Sequence, residues 1–249
     1  MFLSIVTGVK FCLNDFYSYP PVECEWPWIL RNIKQKPLEN TKHEIVDIGI
    51  YDLLQEPHRH SEEKLQKWTE ISTEGWKVVP DCPDLHGEFG KLIDFDNVEY
   101  SWDLLTEYYD PKDKSQLPVI QSHYEQLSSF KEYITRFKDV YGEPDKIAIG
   151  SICKSNNNDI AIQMLKIARR EFPNSWIHAF GLRFRQFRRA YKLIDSFDST
   201  SWTFPRQSGH SCKNKEERIQ YFWDYINIIE GINVHLHKEQ TQLEVLRCV

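Results

Sequence analysis

The chain has 249 residues, 41% hydrophobic and 14% aromatic, with a formal net charge of −6. That length and apolar content exclude a disordered chain and suit one large α/β domain, the usual size of a (β/α)8 barrel. Net acidity excludes binding to nucleic acid or membrane through overall charge, and no run approaches the ~20 apolar residues of a membrane span.

The opening Met1-Phe2-Leu3-Ser4-Ile5-Val6-Thr7-Gly8 is too short for a signal peptide with its flanks and predicts a strand over 2–7. Residues 8–43, rich in Pro, Trp and Tyr (Tyr19-Pro20-Pro21, Trp26-Pro27-Trp28), resist assignment. A strand is predicted over 44–50, its apolar run closing at Asp47. Ser61 to Ile71 is polar with Leu65 and Trp68 on one face, a helix. The strand over 76–81 ends on Asp81, and residues 85–116 read as an irregular acidic insertion or lid. Leu117-Pro118-Val119-Ile120 opens a strand ending on Gln121. Leu127, Phe130, Tyr133, Ile134 and Phe137 mark an amphipathic helix within 124–141. A strand over 146–150 precedes a helix capped by Asn158 or Asp159, with Ile160, Met164, Ile167 and Ala168 inside and Pro173 as its stop. Strands over 176–181 and 193–198 follow, then a helix over 216–229.

Strand and helix alternate, which predicts a parallel sheet with right-handed crossovers. The fold class is α/β, a TIM-like (β/α)8 barrel in a single domain spanning 1–249. Seven strands are legible, and the eighth is expected within 8–43. Six cysteines, at 12, 24, 82, 153, 212 and 248, show neither CxxC nor paired spacing. Free thiols in a reducing compartment are therefore expected, in a soluble cytoplasmic protein without metal or cofactor.

The chemistry is carried by the strand ends. A carboxylate is a poor strand former and costly to bury, yet apolar runs end on Asp47, Asp81 and Asp198. In parallel barrels the C-terminal strand ends build the active site. The chain therefore reads as an enzyme. The plainer alternatives are that Asp198 caps its loop through Ser199 or Thr200, and that Asp47 serves a turn. Asp195, three residues earlier, faces the opposite side and is the weaker nucleophile.

Taken in order, Asp47-Ile48-Gly49-Ile50-Tyr51, Val79-Pro80-Asp81-Cys82, Val119-Ile120-Gln121, Ala148-Ile149-Gly150, His178-Ala179-Phe180-Gly181 and Phe197-Asp198 resemble the motifs of the tRNA-guanine transglycosylase superfamily. The likeness runs from about residue 44 to 206, and Pro205-Arg206 is similar to the family's Pro-Thr-Arg. It lies nearest to the phage and bacterial branch that inserts 7-deazaguanines into DNA. The resemblance implies Asp198 as nucleophile at the anomeric carbon and Asp47 as general acid/base. It implies Asp81 and Gln121 as readers of guanine, Gly150 as a backbone amide beside the base, and Tyr51 and Phe180 as its sandwich. His178 is expected to be structural. Ile48 stands where the family has Ser, which changes the hydrogen bonding expected around Asp47. The zinc-binding Cys-x-Cys-x-x-Cys…His of the tRNA enzymes and their appended RNA-binding domain are not found. Both differences favour the DNA branch or a virus-encoded relative.

Arg183-Phe184-Arg185-Gln186-Phe187-Arg188-Arg189-Ala190-Tyr191-Lys192 carries five cations and no acid. With Phe184, Phe187 and Tyr191 inward, Arg183, Arg185, Arg188 and Arg189 are expected to face phosphates, joined by Arg206. A solvated basic helix is the plainer reading. The function expected is a pentosyltransferase that exchanges guanine in DNA for a 7-cyano- or 7-aminomethyl-7-deazaguanine. The expected partners are thus a polynucleotide and a free base. The alternatives are the same exchange in tRNA, a barrel glycosidase using paired carboxylates, and a non-catalytic nucleic-acid-binding barrel.

Overall fold

The computed structural model describes residues 9–14, 26–37, 41–50, 53, 59–84, 96–153, 155–199, 212–229 and 231. The expected strand over 2–7, Tyr51 and Arg206 lie outside them.

The described chain is α/β, and every registered strand pair is parallel. Its strands are β1 (Lys10–Asn14), β2 (Trp26–Asn32), β3 (Thr41–Asp47), β4 (Trp76–Val78), β5 (Gln116–Leu117), β6 (Val119–Ile120), β7 (Lys146–Ile149), β8 (Trp176–Ala179) and β9 (Ser196–Ser199). Residues 8–43, unreadable from periodicity, hold both β1 and β2. Prolines and tryptophans masked the two-residue alternation there. The strand expected over 44–50 is shifted to Thr41–Asp47, so Asp47 is its last residue rather than an interior one.

The sheet order is β5-β4-β3-β2-β1-β9-β8-β7-β6. Its two end members are successive in the chain, divided by Pro118 alone, which has no N–H to donate to a ladder. Val79 N–H donates to Leu117 O at 3.0 Å, while Ala148 N–H donates to Pro118 O at 2.8 Å. The segment 116–120 is thus bonded to β4 through its first half and to β7 through its second.

Side-chain alternation sorts the strands into two faces. Ile29, Val79, Ile120, Ile147, Ile149, Ile177 and Phe197 pack with the helices in the larger core. Cys12, Leu30, Ile45, Val78, Leu117, Val119 and Ala148 form a second cluster, flanked by Trp28, Trp76 and Phe180. At the N-terminal strand ends, Trp28 of β2 meets Trp76 of β4 at 5.2 Å and Trp176 of β8 at 6.0 Å between ring centroids. Trp76 and Trp176 meet edge to face at 5.7 Å.

The helices are α1 (Glu62–Thr69), α2 (Asn97–Tyr108), α3 (Leu127–Tyr141), α4 (Asn158–Glu171), α5 (Phe184–Ala190) and α6 (residues 215–229). Ser61 caps α1 by accepting from Lys64 N–H, with Glu62 and Glu63 favourable at the positive end. Asn157, one residue before the expected cap, accepts from the N–H groups of Asp159 and Ile160. The stretch 85–116 contains a regular helix, α2, capped by Asp96 and buried through Val98, Trp102, Leu104 and Leu105. Acidic residues on its outer side hid that periodicity.

Gly75, just before β4, sits against the main chain of β3, and a Cβ there would overlap the Glu44 carbonyl. Because backbone cannot swing aside, Gly75→Ala should destabilise the protein by ~1–3 kcal/mol. Chemical denaturation read by far-UV circular dichroism measures this. A wild-type midpoint would contradict the close β3–β4 approach.

Candidate active site

The C-terminal strand ends gather the residues singled out from sequence, with two of them outside the described chain. Asp47 closes β3 opposite Asn32 of β2. Asp81 follows β4 beyond Val79 and Pro80, Gln121 follows β6 directly, and Gly150 follows β7 directly. Phe180 follows β8 directly, and Asp198 lies within β9 opposite Cys12 of β1. Asp198 is bonded across to the backbone just after β8, while Thr200, one of the two residues through which it would cap the following loop, lies outside the described residues. Its Oδ1 accepts from Gly181 N–H at 2.9 Å, and its carboxyl is only 2% exposed. Gly181 adopts φ 57°, the left-handed region that favours glycine and aims its N–H at the carboxylate.

Gln121 is fully buried, and its amide nitrogen donates to the Asp81 carboxylate. Ser151 O–H donates to Gln121 Oε1 at 2.8 Å, which fixes the direction of the amide. A Cβ at position 150 would overlap that amide. Gly150 is therefore required for room. Its N–H donates to Ile120 O at 3.1 Å within the ladder.

Asp81 is held from both sides of its backbone. Its carbonyl meets His60 Nε2 at 2.9 Å, and the next residue, Cys82, exchanges bonds of 2.9 Å with the Ser101 hydroxyl of α2. The helix inside the supposed insertion thus braces the loop that carries Asp81. Asp84, a sequence competitor for Asp81, instead accepts from Tyr124 N–H at 2.6 Å and ties two loops together. Asp195 accepts from Arg169 and from Ile177 N–H, away from this mouth.

Asp47 lies within electrostatic reach of both Asp198 and Asp81. Asp47 and Asp81 are half-buried as whole residues, and protein surrounds their carboxyl groups closely enough for burial to dominate their proton affinity. Burial raises Asp47 to about 6, helped by the Asp198 charge and opposed by the N–H groups of Gly49 and Ile48 and by Lys64. A carboxyl near 6 can both give and take a proton at neutral pH, as general acid/base work requires. Burial, then the Asp47 charge, raises Asp81 to about 8 against the lowering effect of Gln121. At that value the Asp81 carboxyl holds its proton at neutral pH.

Lys64 and His178 are the residues that sequence reasoning missed or set aside. Lys64 is buried on α1, donates from Nζ to Gly49 O at 3.0 Å, and lowers Asp47. One signal was available: Lys64 lies four residues before buried Trp68, on the same helix face. His178 Nε2 stands 3.4 Å from Asp198 Oδ1.

Phe180 is half-buried and meets the His178 ring edge to face at 4.8 Å. On α5, Phe187 is buried while Arg183, Arg185, Arg188 and Arg189 are exposed. Arg183 donates to Asn156 and Arg189 pairs with Asp159 at 2.6 Å, so part of the basic face is internally engaged. Alongside, α6 buries Phe222, Tyr225 and Ile226 and touches α5 through Phe184 and Tyr225. A cleft of about 350 Å³ between α3 and α4 is lined by Lys131, Ile134, Lys138 and Ile167, and contains none of the strand-end residues. Among the described residues no cluster of three metal-ligating side chains occurs. Nor is any helix there long and apolar enough to cross a membrane. Neither a family model nor a curated protein sequence matches the chain.

The raised proton affinity of Asp81 has a sign that can be measured. A carboxyl that ionises near 3.8 when unfolded and at about 8 when folded holds an extra proton in the native state across that window. Stability contributed by this group therefore falls as pH rises from the lower value to the upper one. Asp81→Asn removes the loss, so the variant should match wild type at about pH 4 and exceed it at about pH 9. Thermal melting reads the difference, at ~2–4 °C for each ~1 kcal/mol in a chain of this size. A melting difference that does not grow with pH would contradict the buried, charge-coupled setting of Asp81.

Proposed function

We propose that the protein is a nucleic-acid guanine transglycosylase that exchanges guanine in DNA for a 7-deazaguanine base, built on a closed TIM-like (β/α)8 barrel. Closure is supported by the sheet order, whose ends are two halves of one segment, and by contact among Trp28, Trp76 and Trp176 from non-adjacent strands. If β5 and β6 count as one strand, eight strands surround the inner cluster. Layers of inward side chains filling such a barrel are the rule for the class.

One observation carries the functional reading. The Asp81–Gln121 carboxyl–amide pair lies over Gly150, within electrostatic reach of Asp47, which is in turn within reach of Asp198. Guanine presents N1–H and a 2-amino group to an acceptor and O6 to a donor. Asp81, releasing its proton to solvent as the base binds, supplies the acceptor, and the second amide hydrogen of Gln121 supplies the donor. Such paired polar groups reject a base that leaves them unmatched.

Asp198 then attacks the anomeric carbon as the bond to guanine breaks, and the departing base takes a proton from Asp47. The result is a sugar ester on Asp198. An incoming 7-deazaguanine gives a proton back to Asp47 and displaces the ester, which restores the Asp47 acid and the Asp198 carboxylate. Phe180 offers one stacking surface for the base. The target nucleotide must leave the duplex to reach the strand ends, at a cost of a few kcal/mol. Arg183, Arg185, Arg188 and Arg189, with exposed Lys213, Lys215 and Arg218 nearby in the chain's last described helix region, supply phosphate contacts.

Incubation with labelled guanine and either DNA or tRNA tests the reading, with label expected in DNA. Uptake by tRNA alone would transfer the activity to that polymer, and uptake by neither at low salt would reject base exchange. Asp198→Asn should abolish the denaturation-resistant complex with a guanine-containing oligonucleotide; a persisting adduct would remove Asp198 from the nucleophile's place. For the basic face, the double variant Arg185→Ala/Arg188→Ala should weaken DNA binding and flatten its dependence on log salt by ~1–2. An unchanged slope would make α5 a solvated surface only.

A further inference from the structure

We infer that His178 is a positioning residue that carries its proton on Nε2 and directs it at Oδ1 of Asp198, so orienting that carboxylate for attack. The inference rests on Asp198 being the nucleophile. His178 lies in β8, wholly buried, with its ring wedged edge-on against Phe180 at 4.8 Å. Its Nδ1 is 2.9 Å from Ser196 Oγ, and its Nε2 has no hydrogen-bond partner by strict geometry but stands 3.4 Å from Asp198 Oδ1. Ser196 and Asp198 are alternate residues of β9 and so share a face, opposite the register position of His178.

The proton's place follows from the donors around the ring. Trp176 Nε1–H can only donate, and it donates to Ser196 Oγ at 2.8 Å. That occupies one lone pair of the hydroxyl and leaves its hydrogen to find an acceptor, which His178 Nδ1 provides. A ring accepting at Nδ1 carries its hydrogen on Nε2. The opposite tautomer would set the Nε2 lone pair against a carboxylate oxygen in a fully buried place, with nothing to offset the repulsion. Trp176, Ser196, His178 and Asp198 therefore form one directed chain of donors.

With Gly181 N–H already on the same Oδ1 at 2.9 Å, a second donor fixes the rotation of the carboxyl group as well as its position. The 3.4 Å separation is long for a hydrogen bond, and such contacts tighten when a substrate fills the site. A nucleophile aimed in advance avoids the ~10²-fold loss that about 1 Å of misplacement can cause.

Two measurements decide. Long-range ¹H–¹⁵N spectra of histidine-labelled wild-type protein, without substrate, should show His178 protonated at Nε2. A bare Nε2 with the hydrogen on Nδ1 overturns the inference whatever the enzyme's activity. In single-turnover formation of the covalent complex on guanine-containing DNA, His178→Phe should lower the rate ~10²-fold while oligonucleotide affinity stays within about twofold. His178→Gln, which can return an N–H to the same place, should recover about tenfold of the loss. A wild-type rate in His178→Phe, or equal loss in both variants, assigns His178 to packing and leaves the transglycosylase reading standing. No covalent complex in wild type on DNA or tRNA overturns that reading and this inference with it.

Discussion

Placing Asp47 between Asp198 and Asp81 opposes folding, because the Asp198 charge raises the cost of ionising Asp47, the Asp47 charge does the same to Asp81, and burial adds to both. The parallel ladder holds them there regardless. Its register fixes the height of each strand end, and the two-residue alternation fixes which side chains face inward. Trp28, Leu30 and Asn32 on β2, and Trp176, His178 and Phe180 along β8, occupy successive heights of one face. Leu30, Val119 and Ala148 fill the middle of that face, with His178 and Ser196 as buried polar members at the height of Ala148.

The rim tolerates its charges through local devices rather than through one strong ion pair. Asp47 has backbone N–H groups and the Lys64 charge, Asp81 has the Gln121 amide, and Asp198 has Gly181 N–H. Each device comes from a different element, so the environments differ and proton affinities separate. Asp47 near 6 and Asp81 near 8 illustrate the separation that lets neighbouring carboxyls take different parts in one reaction. Stability given up at this rim is the usual companion of a preorganised site.

Support from behind the rim is equally specific. Ser151 orients Gln121, Gly150 leaves room for it, and α2 braces the backbone after Asp81 through Ser101. Trp176 and Ser196 stand behind His178 in the same way behind Asp198. Supporting groups of this kind decide whether a constellation is held tightly enough to act.

The amino-acid sequence by itself determined the α/β class, most strand and helix positions, and the placement of Asp47, Asp81, Gln121, Gly150 and Asp198 at strand ends. Those features live in local periodicity and in polar residues that interrupt apolar runs, both visible within a few neighbours. It did not reveal β1 and β2, where Pro and Trp break the alternation, nor α2, whose acidic outer side conceals a buried stripe. Only the tertiary structure decided that Gly150 serves Gln121, that Lys64 relieves Asp47, that Asp81 keeps a proton, and that His178 faces Asp198. Each of these depends on distance and desolvation between residues far apart in the chain, quantities that exist only after the strands have been set side by side.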